Sequence, residues 1–160
     1  MSREVLGREI IRAARKHIGK SALWHWKFAG NCLDPEVEGL CFSNGLGPRA
    51  FDCSGLIANV VSSVQGKSVS EWPSEQRHVR DMWAAGGVAL DNLATVVPGD
   101  ILVQALLKDG QVIRPAHIGI VVEARPEETL WLHASPGAGE VVISPVPDSS
   151  KILGRYAVNS

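Results

Sequence analysis

The sequence predicts a single α+β domain in which N-terminal helices pack on a central antiparallel sheet. Three observations carry that expectation. The chain has 160 residues, which suits one domain with a real core rather than two. Its first half holds apolar stripes at helical spacing. Its second half changes to short apolar runs separated by turn residues, and strands that follow one another after the helices pair antiparallel.

Over residues 3–18, Leu6, Ile10, Ala14 and Ile18 share one helix face, with Ser2 as N-cap and Gly19 as the stop. Residues 20–51 break this pattern. They hold Trp24, Trp26, Phe28, Cys32 and Cys41 among Gly30, Gly39, Gly45, Gly47, Pro35 and Pro48. That composition reads as a long loop ordered by its aromatics, and loops of such length tend to be functional. Residues 52–65 form the clearest helix. Leu56, Ile57, Val60, Val61 and Val64 make its apolar stripe, and Gly66 closes it. A further helix is expected from Ser74 through Met82 and Trp83 to Gly86 and Gly87. Strands are expected at residues 100–107, 117–122, 130–134, 140–144 and 152–158, divided by Lys108-Asp109-Gly110, Arg125-Pro126 and Pro136-Gly137.

Composition excludes several classes. Hydrophobic residues at 45% and charged ones at 21% are incompatible with a disordered chain. Sixteen basic against seventeen acidic residues give a net charge of -1, which argues against a nucleic-acid partner. No apolar run approaches the roughly 20 residues of a membrane span. Residues 1–4 lead into an amphipathic stretch without the apolar core of a secretory signal. The expectation is therefore export by another route or trimming of a leader. Three cysteines are too few for a disulfide scaffold. Cys32 and Cys41 are either a loop-closing bridge or two free thiols. No recognised ligand spacing is present, so neither a metal nor a cofactor is expected.

The chemistry is expected at Cys53. Phe51-Asp52-Cys53-Ser54-Gly55-Leu56 puts it on the first turn of the best helix, where free N–H groups and the helix dipole favour an anion and lower a thiol pKa. The alternative is a buried structural cysteine. A thiolate nucleophile needs a base and an orienter. His17, late in the first helix, and His78, among charged residues, read as structural. His25, between two tryptophans, stays open. His117 and His133 lie on successive strands. If Ala124-Arg125-Pro126 is the hairpin loop, His117 opposes His133. A register shift of two makes them diagonal neighbours on the same face. Either way a Cys–His–His relay accounts for two polar rings on apolar strands.

The chain here resembles the NlpC family of cell-wall cysteine endopeptidases. The resemblance rests on Phe51-Asp52-Cys53-Ser54-Gly55-Leu56, Pro98-Gly99-Asp100-Ile101-Leu102, Ala116-His117-Ile118-Gly119-Ile120-Val121 and Leu132-His133-Ala134-Ser135, in that order. It covers about residues 8–158, so residues 1–160 are expected to form one such domain. It implies a papain-like α+β fold, with Cys53 as nucleophile, His117 as general base and His133 as the orienting residue. It further implies cleavage of peptidoglycan stem peptides, between γ-D-glutamate and a diamino acid. Asp52 and Ser54 would flank the nucleophile at the stem peptide, and the Cys53 N–H would help hold the oxyanion. The family's Pro-Tyr pair after the first helix is missing, so Trp24 or Trp26 is expected at the site, one offering its indole N–H.

The alternatives are a CHAP-type cell-wall amidase and a catalytically silent cell-wall-binding module. Peptidoglycan is the expected partner, with action outside the cytoplasm. The setting would be a phage enzyme, an exported effector with an immunity or inhibitor protein, or the catalytic domain of a secreted enzyme.

Overall fold

The computed structural model describes residues 2–22 and 50–158. Trp24, His25, Trp26, Cys32, Cys41 and most of the expected loop lie outside the described residues. Helix α1, Arg3–Arg15, starts where Ser2 Oγ accepts the Val5 N–H at 3.2 Å, and it buries Gly7, Ile10 and Ala14. It stops short of residue 18, leaving Ile18 exposed. The reason is tertiary: the Gly19 N–H donates to Val141 O, and the Val141 N–H donates to Lys20 O. The chain must leave the helix early to make that pairing.

The Pro98-Gly99-Asp100 turn clamps α1. A Cβ on Gly7 would meet Pro98 O at 2.7 Å, and Gly99 has φ +95 against the Gly7 backbone. Arg3 reaches both carboxylate oxygens of Asp100, at 3.0 and 2.8 Å. Helix α2, Cys53–Val64, is capped by Asp52, whose carboxylate accepts the Gly55 N–H at 2.6 Å. Every residue from Ser54 to Ser62 is buried, so this helix runs through the interior rather than along a surface. Gly66, with φ +69, ends it as expected. The helix expected from Ser74 is split. A 3-10 turn, Ser74–Gln76, precedes helix α3, Val79–Gly86.

Among the described residues, eight strands form one sheet: β1 Ser21–Ala22, β2 Ala50–Phe51, β3 Gly87–Ala89, β4 Ile101–Lys108, β5 Gln111–Ala124, β6 Thr129–Ser135, β7 Glu140–Pro145 and β8 Ile152–Tyr156. Their order is β2-β1-β7-β6-β5-β4-β8-β3. All neighbours are antiparallel except the short β1–β2 pair. Asp109 (φ +52) and Gly110 (φ +76) make the tight β4–β5 turn, the conformation that a two-residue hairpin requires. Strand β5 starts earlier than expected because Pro115 sits where the ladder shifts between Gln104 and Ala105. A bulge tolerates a residue without an N–H.

The main core lies between the helices and one sheet face. Ile118, Ile120, Leu132, Ala134 and Val141 meet Ile10, Phe51, Leu56, Ile57 and Val60 there. A smaller cluster of Val96, Leu102, Val121, Trp131 and Ile152 covers the other face. Strand alternation puts His117 and Gly119 on the face of Val121, and His133 on the face of Trp131.

Candidate active site

Two elements bring Cys53 to β5. The Asp52 cap fixes the first turn of α2, where the N–H groups of Cys53 and Ser54 have no helical carbonyl ahead of them. The sulfur faces those two N–H groups and also the backbone N–H of Ile118. Ladder geometry explains the third donor. The Val121 N–H donates to Asp100 O on the β4 side, so the Ile118 N–H points the other way, toward β6. Paired positions of β5 and β6 run only from Ala124–Thr129 to Ile120–Leu132. Past that point the Ile118 N–H meets the thiol of the residue that precedes helix interior Ser54, one position along from His117.

The histidines are joined directly. His117 Nε2 lies 2.7 Å from His133 Nδ1, with the rings nearly perpendicular at 82°. They are diagonal neighbours, not directly opposed. Val121 pairs with Trp131 and Ile120 with Leu132, which sets Gly119 opposite His133. The cause is a loop of Arg125 to Glu128, closed by the Arg125 N–H on Glu128 O, and a bulge between Val121 and Glu123. Trp131 supports both rings, edge-on to His117 at 5.5 Å and tilted against His133 at 5.0 Å. His133 Nε2 in turn lies 2.7 Å from Ser144 Oγ on β7.

Burial sets the charge state. The Cys53 thiol is pushed up to about 12, first by burial and then by the Asp52 carboxylate, and the three backbone N–H groups only partly oppose this. His117 is lowered to about 3 by burial and by His133, and His133 to about 4 by burial. Burial thus favours the neutral thiol and the neutral imidazoles. The helix start does not yield the lowered thiol pKa expected from its position, because desolvation penalises the thiolate more than exposed helix-end donors stabilise it.

Solved structures of the same shape exist. The P60 domain of an antigen from M. avium subspecies paratuberculosis aligns with a TM-score of 0.61 at 20% identity, over 97% of this chain and 96% of that one. The chain has the NlpC/P60 fold. The peptidoglycan hydrolase RipB from Mycobacterium tuberculosis aligns at 0.61 and 20% identity, over all of this chain and 69% of that one. RipD from the same organism, described as a non-catalytic NlpC/p60 domain protein adapted to peptidoglycan binding, aligns at 0.62 and 17% identity, over 96% and 98%. No family model and no curated protein matches the sequence.

Within this NlpC/P60 fold, the residues expected to flank the nucleophile point inward. Asp52 is 0% exposed and caps α2, and Ser54 is 2% exposed and donates its hydroxyl to Arg77 O at 2.8 Å. Both side chains are consumed by the fold, so a stem-peptide contact through them is not what the geometry offers. Trp24 and Trp26 lie outside the described residues. His17 is half-buried and packs edge-on against Phe51 at 4.9 Å, as a structural residue would. Sequence reasoning missed Gly119 and Ser144. The second could have been found: a hairpin closing at Pro136-Gly137 pairs Trp131 with Ser144, on the face of His133. Among the described residues no cluster of metal-ligating side chains occurs, and no helix is long and apolar enough to cross a membrane.

Proposed function

We propose that this protein is a peptidoglycan hydrolase that cuts an amide bond of the stem peptide by cysteine chemistry, acting outside the cytoplasm. Two observations support the reading: a helix-start thiol lies on the Ile118 N–H, and Ile118 follows directly on His117, whose Nε2 is held 2.7 Å from His133 Nδ1. The relatives of known activity add the substrate class, because RipB is a peptidoglycan hydrolase and another relative is an N-acetylmuramoyl-L-alanine amidase from Bacteroides uniformis.

In the proposed reaction His117 keeps Nε2 on His133, so its Nδ1 is the atom left to take the Cys53 proton. Sulfur attacks the substrate carbonyl as that proton moves, because no thiolate is stored beforehand. The oxyanion falls to the Cys53 and Ser54 N–H groups at the start of α2. Protonated His117 then gives its proton to the leaving amine. Water, deprotonated by His117, attacks the thioester, releases the carboxylic acid and returns the proton to sulfur. The scissile bond proposed is that between γ-D-glutamate and the diamino acid.

Digestion of purified muropeptides, followed by mass spectrometry, tests this. The expected result is a new pair of fragments from that bond, absent with Cys53→Ala. Products from Cys53→Ala would overturn the cysteine mechanism. Fragments from a muramoyl–alanine bond would mark an amidase, and binding without products would mark a silent module of the RipD kind.

A further inference from the structure

The geometry points to Ser144 as a positioning residue that decides which nitrogen of His117 is basic, an inference resting on the peptidoglycan-hydrolase reading above. Three polar side chains cross three adjacent strands on one face. His117 on β5 is diagonal to His133 on β6. Because His133 pairs with Val142 and Trp131 with Ser144, Ser144 on β7 is diagonal to His133 on its other side. The diagonals run in opposite senses along β6. His133 is therefore spanned end to end, with Nδ1 on His117 and Nε2 on Ser144, each at 2.7 Å.

A neutral imidazole carries one N–H, so the two contacts of His133 cannot both be donated. In one arrangement His133 donates from Nε2 to Ser144 Oγ. Its Nδ1 then accepts from His117 Nε2–H, and His117 Nδ1 holds a bare lone pair able to take the thiol proton. In the other, Ser144 donates to His133 Nε2. His133 then donates from Nδ1, His117 must accept at Nε2, and its own proton sits on Nδ1, where it blocks proton transfer from Cys53. Only Ser144 acting as acceptor leaves His117 competent. A hydroxyl, unlike a carboxylate, does this without adding charge to a buried site, where an unpaired carboxylate would be costly. His133, 9% exposed, has Trp131 against its ring. That packing limits rotation of the ring, so the hydrogen bond at Nε2 chooses the tautomer rather than the ring's orientation.

The test reads the tautomers directly. In the Cys53→Ala background, with histidine labelled by 15N, the ring nitrogens of His117 and His133 are assigned by NMR at pH 7.5. Both histidines are expected as Nε2–H tautomers. Ser144→Ala should convert His133 to a mixture or to Nδ1–H, and Ser144→Thr, which keeps the hydroxyl, should restore Nε2–H. With Cys53 present, Ser144→Ala should lower kcat on muropeptides about tenfold with KM little changed, as loss of one hydrogen bond to a supporting group would, and Ser144→Thr should recover most of it. An Nδ1–H tautomer of His133 in the parent protein overturns the inference, as does an unchanged tautomer in a folded Ser144→Ala. Absence of muropeptide turnover in the parent, with the stated tautomers observed, would sink the substrate reading and leave the role of Ser144 standing.

Discussion

Gly119→Ala adds one methyl group and should damage the site more than the fold. Gly119 stands opposite His133, and a Cβ there would lie 2.7 and 2.9 Å from two ring carbons of Trp131 and 3.0 Å from His133 Cβ. Unstrained carbon contacts sit near 3.5–4.0 Å, so something must give by about 0.5–1 Å. Trp131 cannot do so freely. It is 1% exposed and boxed by Val96, Leu102, Val121 and Ile152. Overpacking of this kind costs about 1–3 kcal/mol, a fall in Tm of about 2–4 °C for each kcal/mol in a chain of this size. The rings that move are those that hold His117 on His133, and in the proposed reaction, where His117 is the base, misplacing it by about 1 Å can cost about a hundredfold in rate. The assay pairs kcat/KM on muropeptides with thermal melts. Gly137→Ala serves as the control, since its nearest neighbour would be Ser135 Oγ at 4.0 Å, and its change should stay within about 0.5 kcal/mol. Wild-type turnover by Gly119→Ala with an unchanged Tm would refute the reasoning. A lowered Tm with full activity would show that the histidine pair does not depend on this packing.

Two further outcomes follow from burial. His17, His117 and His133 are lowered to about 4, 3 and 4 from 6.5, so the unfolded chain binds their protons first: stability is complete above pH 6.5 and falls as pH drops toward 4, with His117 alone contributing a slope of about 1.4 kcal/mol per pH unit. Melts from pH 7.5 to 5 should show this, shallower in His117→Gln, and a flat profile would contradict neutral buried rings. Because the thiolate is the reactive form and Cys53 is pushed up to about 12, iodoacetamide at pH 7.5 should modify the Cys53 peptide more slowly than free cysteine, with the rate still rising above pH 9. Fast modification that plateaus below pH 7 would instead mark a resting thiolate–imidazolium pair.

Much of the fold was legible because single elements announce themselves. Helix α2 carries its cap, stripe and glycine stop within one continuous run of the sequence, from Asp52 to Gly66. Strands β4, β6, β7 and β8 have turn residues at their ends. What was not legible depended on partners. The end of α1 is set by β7, and β1, β2 and β3 are too short to show a period. The His117–His133 register stayed open between opposed and diagonal because Val121 and Val122 are both apolar, so the bulge there leaves no mark on an alternating pattern. Ser144 was hidden with it, since its diagonal to His133 becomes useful only when the other diagonal is known. Asp52 and Ser54 looked free to meet a ligand because sequence shows a polar residue but not the N–H or carbonyl that claims it.

The helix start at Cys53 illustrates how a correct element can carry an incorrect inference about charge. The first turn of α2 does present unpaired N–H groups to the sulfur, as its position requires. The same turn has Asp52 and Ser54 buried on either side of a half-buried Cys53, and a desolvated thiolate next to the Asp52 carboxylate loses more than those donors return. A donor set too weak to keep a thiolate at rest can still act on a charge that forms only during attack, since the oxyanion and protonated His117 develop together and the site stays neutral overall. In the proposed reaction the donors of α2 thus serve the transition state rather than the ground state, which is where stabilisation raises the rate. The burden of activating sulfur then falls on His117 Nδ1, and through His133 on the hydroxyl of Ser144.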